Sequence, residues 1–240
     1  MERGDSSDCI LFVGTFPPRE CGIATFTRDL SDAVERKFFS HLKVKIMAMN
    51  SNGVNIYNYP KKVAYQLSDS ERKDYNKIAE KINSDKSVKI VSIQHEFGIF
   101  GGDYGIYLID FLKTLNKPKI ITFHSILPEP DRERIRVVRK IAENVDEIIV
   151  MTSVGVDILE KEYGLSREMI RVIPHGIPLV DFERQTNAKK QLGYEGKIVL
   201  SSFGMINRGK GFEYVIEALP EIVKKYPNLV YLIVGATHPI

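Results

Sequence analysis

Short apolar runs alternate with segments of helical apolar spacing along almost the whole chain. The runs at 10–13, 88–93 and 119–123 are too short for helices and have the length of buried strands. Between these runs, apolar residues recur every three or four positions, as they do in amphipathic helices. Alternation of this kind is typical of a parallel sheet that is covered by helices on both faces. The sequence therefore predicts an α/β fold with a doubly wound parallel sheet.

The same pattern predicts where helices and domains begin. The first helix is predicted to begin at Ile23, and a later helix at 68–70. A polar segment at 181–196 interrupts the alternation, so we expect a first domain over 1–180 followed by an interdomain connection. One strand, one helix and one strand then follow within 197–240, which are too few to cover both faces of a sheet. We expect this last stretch to be an incomplete second domain.

Composition and charge argue against several functional classes. The 34 Lys and Arg residues against 31 Asp and Glu give a net charge of +3, and both signs alternate along the helices, so nucleic-acid binding is not predicted. No apolar run approaches the ~20 residues of a transmembrane helix, and Met1–Asp8 lack a signal-peptide pattern. Two cysteines do not make a disulfide framework. We expect a cytoplasmic protein, and nothing in the sequence supports a peripheral membrane contact.

Polar residues follow four of the predicted strands, at the ends that line the ligand crevice of a parallel sheet. The first of these loops leads into a helix, whose first N–H groups favour an anion such as phosphate. A strand-end histidine is ordinarily structural, but three of the five histidines lie at this edge. Because they follow neighbouring strands, His95 and His124 are predicted to touch one ligand. The four sets are Gly14–Gly22, Gln94–Glu96, His124–Ser125 and His175–Gly176.

A second cluster of interest lies near the end of the chain. The segment at 207–211 places Arg208 and Lys210 between a strand and a helix, with glycines that allow a polyanion to approach the backbone. No metal site is predicted, since the histidines are far apart in sequence and no Asp-x-Asp occurs. A serine hydrolase is not predicted either, because the chain has no Gly-x-Ser-x-Gly.

Taken together, five segments of the chain resemble the GT-B glycosyltransferases of family four, and they occur in family order. The resemblance implies two Rossmann-like domains, of which 1–180 is the N-terminal, acceptor-side domain. It also implies transfer of a hexose from a nucleotide-sugar donor to an acceptor hydroxyl, with retention of anomeric configuration and without a metal or other cofactor. The segments are VGTFPPRECGIATFTRDL, IQHEFG, ITFHSILP, VIPHGI and FGMINRGKGFEYVIEALP.

The resemblance also implies roles for matching residues. Gly22 and Ile23, the second of which is a glycine in many members, bring backbone N–H groups to the donor diphosphate. Arg208 and Lys210 hold the diphosphate as it leaves, and His124 contacts the sugar near the reaction centre. These are the expected catalytic and donor-binding residues. On the acceptor side we expect His95 and Glu96 together with His124, and at the cleft and hinge His175 and Gly176.

The chain departs from the family pattern at two places. Many members have an arginine where this chain has Met205, and Arg208 is the candidate to replace it. Members continue with two glutamates separated by seven residues, whereas this sequence stops before them, so we expect a truncated form with little activity alone. Two other classes stay open: a non-catalytic sugar- or nucleotide-binding module, and a disaccharide phosphorylase of GT-B architecture. The donor base, the donor sugar and the acceptor are not predicted.

Overall fold

The computed structural model describes residues 8–38, 42–51 and 57–237, apart from the side chain of Arg208. Contacts between Cα atoms divide the chain into two units, Met1–Gly176 and Ile177–Ile240. Among the described residues, seven strands form one sheet in the first unit, and two strands form a separate sheet in the second. The strands are β1 (Cys9–Gly14), β2 (Lys43–Asn50), β3 (Val63–Ser68), β4 (Val88–His95), β5 (Lys119–Phe123), β6 (Glu147–Val150), β7 (Ile170–Val172), β8 (Ile198–Phe203) and β9 (Leu229–Val234).

Helices connect most of the consecutive strands, as the alternating pattern predicts. In the described part of the chain, short 3-10 turns at Asp103–Gly105, Arg167–Met169 and Arg208–Lys210 lie in the connections. The helices are α1 (Gly22–Phe38), α2 (Arg72–Ser84), α3 (Leu108–Thr114), α4 (Arg132–Ala142), α5 (Ser153–Lys161), α6 (Gln185–Gln191) and α7 (Phe212–Lys225).

The seven-stranded sheet has the order β3-β2-β1-β4-β5-β6-β7, and each pair of neighbouring strands is parallel. On one face, apolar residues of β1 and β2 such as Phe12 and Ile46 pack against Leu30 and Val34 of α1. The larger core includes buried residues of α2, α3, α4 and α5. Burial of both faces explains why the strands read as nearly continuous apolar runs. The predicted α/β fold with a doubly wound parallel sheet is confirmed.

Side-chain caps fix the first turns of two helices beside this sheet. The Asp131 carboxylate accepts a hydrogen bond from the Arg134 N–H at 2.8 Å at the start of α4. The Thr152 hydroxyl accepts from the Gly155 N–H at 3.1 Å at the start of α5. Each cap satisfies one of the N–H groups that a helix leaves without an internal partner.

Two boundaries differ from the sequence prediction. Helix α2 begins at Arg72 instead of 68–70, because Ser68 ends β3 and the Asp69 N–H donates to the Asn50 carbonyl at 2.9 Å. The polar segment at 181–196, predicted to be a plain connection, contains α6. None of the residues of α6 is buried, so this helix has no apolar stripe that periodicity can detect.

In the second unit, β8 and β9 pair in parallel, from Ile198 opposite Leu229 to Phe203 opposite Val234. The strands end where Gly204 and Gly235 meet so closely that a Cβ at Gly235 would lie 1.9 Å from the Gly204 carbonyl oxygen. The chain then turns through Arg208–Lys210 to Gly211, whose φ of 66° suits a glycine, and enters α7. Lys210 therefore lies in the connection that follows the carboxyl end of β8.

Candidate active site

The strand order of the first unit has its switch point between β1 and β4, where the chain starts to add strands on the other side of β1. Ligands of open α/β sheets bind outside the carboxyl ends of the strands at such a point. Gly14 ends β1 there, and a Cβ on it would lie 3.0 Å from the Cβ of Gln94 on β4. A side chain at position 14 would therefore disturb the contact between these two strand ends.

The N-terminus of α1 opens onto this point. The Cys21 thiol accepts a hydrogen bond from the Ala24 N–H at 3.3 Å and so caps the helix. The thiol also forms a hydrogen bond with the Thr15 hydroxyl at 3.0 Å. The N–H groups of Gly22 and Ile23 have no acceptor among the described residues. The first turn carries no acidic side chain, and the partial positive charge of the terminus is uncompensated. These two N–H groups can bind an anion.

His124, directly after β5, is held by Gln94. The Gln94 amide nitrogen donates to the Ser92 hydroxyl at 3.2 Å, which turns the amide oxygen towards His124, and that oxygen lies 3.0 Å from Nε2. Nε2 is therefore the protonated nitrogen, and Nδ1 is left as an acceptor. Burial, and to a lesser extent His175, lower the pKa of His124 to about 4. The imidazole is neutral near pH 7 and serves as a hydrogen-bond acceptor.

Phe26 of α1 joins two of the predicted histidines. Its ring meets the edge of His124 at a centroid distance of 4.6 Å and that of His175 at 5.1 Å. His175 is exposed, and its Nδ1 lies 2.9 Å from the Gly176 carbonyl oxygen. Sequence reasoning overlooked Phe26, although its place one turn after Gly22 was a usable signal. The structure thus brings His124, His175 and the start of α1 together.

His95 lies elsewhere. Successive residues of a strand face opposite sides of the sheet, so His95 points away from Gln94 and its partner His124. Its ring is fully buried among the rings of Phe97, Phe100 and Phe123, at centroid distances of 5.3, 5.9 and 5.0 Å. Burial, followed by the effect of His124, lowers its pKa to about 3. The rings of His95 and His124 do not face one surface in this structure.

Glu96 links the loops after β4 and β5. One carboxylate oxygen accepts from the Phe97 N–H at 3.0 Å, and the other accepts a very short hydrogen bond from the Ser125 hydroxyl. Glu96 is half-buried. Both of its oxygens are occupied, so in this conformation it positions the two loops.

The predicted basic pair belongs to the second unit. Lys210 is exposed, and its N–H donates to the Asn207 carbonyl at 3.1 Å within the turn that precedes α7. Only the backbone of Arg208 is described, and it lies in the same turn. Among the residues that the structure describes, no three His, Cys, Asp or Glu side chains are grouped to hold a metal ion. None of the helices over 8–38, 42–51 and 57–237 has the length and apolar character of a membrane span.

The chain is similar in sequence to known glycosyltransferases. Residues 89–180 match the model of the family described as Glycosyltransferase Family 4. A stretch of 111 residues is 32% identical to the mannosylfructose-phosphate synthase of Agrobacterium fabrum, covering 43% of this chain and 24% of that protein. Another match, of 133 residues, is 27% identical to the phosphatidyl-myo-inositol mannosyltransferase of Propionibacterium freudenreichii, covering 55% of this chain and 32% of that protein. These matches span a third or less of either relative.

Solved structures share the fold. A glycosyltransferase from Rickettsia africae superimposes with a TM-score of 0.63 at 15% identity, over 95% of this chain and 60% of that one. The Anabaena protein HepE, solved with UDP and glucose, gives 0.60 at 14% identity, over 95% of this chain and 61% of that one. Identities this low show the fold alone. The match of residues 89–180, the two relatives and the shared architecture together support a glycosyltransferase of family 4 with a GT-B type fold.

Proposed function

We propose that this chain takes part in the transfer of a hexose from a nucleotide sugar to an acceptor hydroxyl, with retention of anomeric configuration and without a metal. The observation that carries this proposal is the neutral His124 beside the uncompensated N-terminus of α1 at the switch point. The imidazole of His124 accepts hydrogen bonds from sugar hydroxyls, and the N–H groups at the N-terminus of α1 bind phosphate oxygens. The names of the two curated relatives and the UDP and glucose bound to HepE support a sugar-transfer reaction.

The free N–H groups of Gly22 and Ile23 stabilise the negative charge that grows on the diphosphate as the glycosidic bond breaks. Fixed donors of this kind act without reorganisation during the reaction. The resemblance of their segment to the family assigns Lys210 and Arg208 to holding the diphosphate as it leaves. The acceptor oxygen forms the new bond to the anomeric carbon, the nucleoside diphosphate leaves with the electron pair of the old bond, and the acceptor proton passes to that diphosphate.

His124 orients the donor sugar and does not supply a proton. With a pKa of about 4 it is neutral at physiological pH, and its one N–H is already donated to Gln94. Nδ1 therefore accepts a hydrogen bond from a sugar hydroxyl. On the acceptor side, Glu96 positions the loops after β4 and β5, while His175 and Gly176 lie where the first unit ends.

A panel of UDP- and GDP-sugars, offered with simple sugar acceptors, tests the proposed reaction. We expect release of the nucleoside diphosphate, a new glycoside whose anomeric configuration matches the donor, and the same rate with EDTA present. An inverted product contradicts the retaining mechanism. Phosphate-dependent breakdown of a disaccharide favours a phosphorylase, and nucleotide binding without turnover favours a binding module.

The basic turn before α7 provides a direct test of diphosphate stabilisation. Lys210→Ala should lower the turnover rate by about 10²–10³, the effect of removing one electrostatic donor from a transition state. Lys224→Ala is the matched control, because Lys224 lies in the same unit and is exposed, but pairs with Glu221 at 2.6 Å. Equal rates for the two variants would show that Lys210 has no part in the reaction.

A further inference from the structure

Gln94 is a buried polar side chain that contacts both parts of the candidate site. It has no exposed surface. Its Cβ lies 3.0 Å from the place of a Cβ on Gly14, at the end of β1. Its amide oxygen lies 3.0 Å from Nε2 of His124, which follows β5. The side chain therefore connects the strand that leads into α1 with the histidine assigned to the donor sugar.

Packing alone does not require an amide at position 94. A buried polar group has to recover the hydrogen bonds that it loses to water, and a methionine fills a similar volume without that cost. Gln94 recovers bonds from the side chains of Ser92 and His124. Ser92 is also buried and lies on the same face of β4, because residues two apart on a strand point the same way. The amide thus belongs to a chain of hydrogen bonds that ends on the half-buried ring of His124.

We call Ser92, Gln94 and His124 the relay. The amide nitrogen of Gln94 donates to the Ser92 hydroxyl at 3.2 Å, and the amide oxygen accepts from Nε2 of His124. An amide turned the other way would donate to Nε2, and the imidazole proton would then lie on Nδ1. The orientation of the amide therefore determines whether the free ring nitrogen of His124 is an acceptor or a donor.

The position of this proton has a consequence for the ligand. With the proton on Nε2, Nδ1 accepts a hydrogen bond but cannot donate one. The ring of Phe26 packs on His124 at a centroid distance of 4.6 Å, which restricts rotation of the imidazole. A sugar hydroxyl can donate to Nδ1, whereas a fluorine at the same carbon cannot. A site built to bond a hydroxyl rejects the analogue that lacks it.

We propose that Gln94 is a positioning residue that sets the sugar specificity of the site: through the relay it keeps the proton of His124 on Nε2, so that Nδ1 accepts from one hydroxyl of the donor sugar. This inference rests on the proposed function, since it specifies what His124 recognises. Gln94 itself does not touch the sugar, because it is fully buried and reaches the ligand only through His124.

NMR measures the proton position without any requirement for activity. The histidines are labelled with nitrogen-15, and the spectrum of His124→Ala assigns the ring signals of His124. In the wild type near neutral pH we expect one form, with the proton on Nε2. Gln94→Met should give a mixture of both tautomers, while the signals of His175 stay unchanged.

Ser92→Ala removes the partner of the amide nitrogen and should give a smaller share of the second tautomer. It serves as the test if Gln94→Met does not fold. A proton on Nδ1 in the wild type would overturn the proposal. An unchanged single tautomer in folded Gln94→Met, or in Ser92→Ala when only that variant folds, would also overturn it.

Fluorinated donors test the consequence for specificity. UDP-glucose and GDP-mannose are compared with analogues in which one hydroxyl at a time is replaced by fluorine. We expect the wild type to discriminate against one analogue about tenfold more strongly than Gln94→Met does, the effect of one hydrogen bond. The electronic effect of fluorine on the reaction is the same for both proteins, so it cancels in this comparison. UDP or GDP affinity should be equal in the two proteins.

Gln66→Met is the matched control, because Gln66 lies on β3, is exposed and accepts from Asn50 at 3.1 Å instead of from a histidine. It should discriminate as the wild type does. Equal discrimination in the wild type and Gln94→Met would overturn the assignment. Failure of the wild type to transfer any sugar would count against the proposed function, while the NMR spectra would still decide whether Gln94 fixes the proton of His124.

Discussion

A polar cluster at one edge of the seven-stranded sheet is hydrogen-bonded within itself, whereas several polar groups at the other edge lack hydrogen-bond partners. At the amino edge, the Asp85 carboxylate accepts hydrogen bonds from Lys45 at 2.5 Å, Ser87 at 2.6 Å and Tyr65 at 2.7 Å. At the carboxyl edge, the N–H groups of Gly22 and Ile23 and both nitrogens of His95 have no partner in the described part of the chain.

This difference separates stability from function. Polar groups that satisfy one another stabilise the fold and leave nothing for a ligand, while unpartnered groups lower stability and are available to bind. We therefore expect substitution of Asp85 at the amino edge to change mainly unfolding, and substitution of Gly22 or His124 at the carboxyl edge to change mainly ligand binding and turnover.

The largest expected effect at the carboxyl edge is that of His124→Ala. Loss of the imidazole removes the proposed sugar contact, and misplacement of a reacting group typically costs about 10² in rate. The melting temperature should change little, since His124 is only half-buried and makes one side-chain hydrogen bond. Steady-state turnover and thermal unfolding of the same preparation measure both quantities. A normal rate in a folded His124→Ala protein would remove the main support for this site.

At the amino edge, Asp85→Ala should lower the free energy of unfolding by about 2–3 kcal/mol. The substitution leaves the Lys45 ammonium without its carboxylate and removes acceptors used by Ser87 and Tyr65. Urea unfolding measures the loss, and turnover per folded molecule should equal that of the wild type. If Asp85→Ala were stable but inactive, the division between the two edges would be wrong.

Lowering the pH should reduce the free energy of unfolding through groups at both edges, in different pH ranges. The pKa values of His95 and His124 are about 3 and 4, below the ordinary 6.5. Because the unfolded chain binds more protons in that range, stability is greatest above pH 6.5 and falls as the pH drops towards 4, by at most about 1.4 kcal/mol per pH unit for each histidine.

Asp85 contributes at lower pH. Burial alone would raise its pKa, but hydrogen bonds from Lys45, Ser87 and Tyr65 outweigh burial and hold the pKa well below its usual range. Its contribution is therefore present above the ordinary value near 4 and is lost below it. Unfolding curves should be measured between pH 8 and 3. Compared with the wild type, the free energy of unfolding of His95→Phe should fall less steeply below pH 6.5, and that of Asp85→Asn should fall less steeply only at the lowest pH values. Identical profiles for both variants and the wild type would contradict these assignments.

Two glycines give the finest comparison, because both lie at the carboxyl edge. Gly14→Ala places a methyl group 3.0 Å from the Gln94 Cβ and should destabilise the protein by about 1–3 kcal/mol. Gly22→Ala meets no atom within 4 Å and should leave stability unchanged. We expect it to weaken UDP or GDP binding, since the added methyl group would lie beside the N–H groups that are proposed to bind phosphate. Unfolding and calorimetry distinguish the two, and unaltered nucleotide affinity in Gly22→Ala would argue against a phosphate site there.

Much of the fold follows from the sequence, because buried parallel strands leave apolar runs and covering helices leave periodic ones. The start of α2 was less predictable. Ser68 and Asp69 suit a helix cap, but Ser68 pairs within β3, and the Asp69 N–H donates to the Asn50 carbonyl. Helix α6 has no buried face and so leaves no apolar pattern.

The candidate site was predictable only in outline. Strand ends place His95 and His124 at the same edge, but the alternation of side chains along β4 puts the ring of His95 on the far face. The role of Phe26, which contacts both His124 and His175, depends on how α1 packs beside β1 and β4. Sequence spacing predicts which residues lie at the carboxyl edge of the sheet. Packing of the helices and the direction of each side chain determine which of these residues contact one another.

One experiment tests the central claim, that the carboxyl edge of the first unit carries the reaction. Nucleotide release from the panel of UDP- and GDP-sugars is measured for the wild type, His124→Ala and Asp85→Asn, each at a temperature where it is folded. We predict that His124→Ala loses most of its turnover while its melting temperature is retained, and that Asp85→Asn melts earlier while its turnover is retained. Turnover that survives in His124→Ala and is lost in folded Asp85→Asn would contradict the claim.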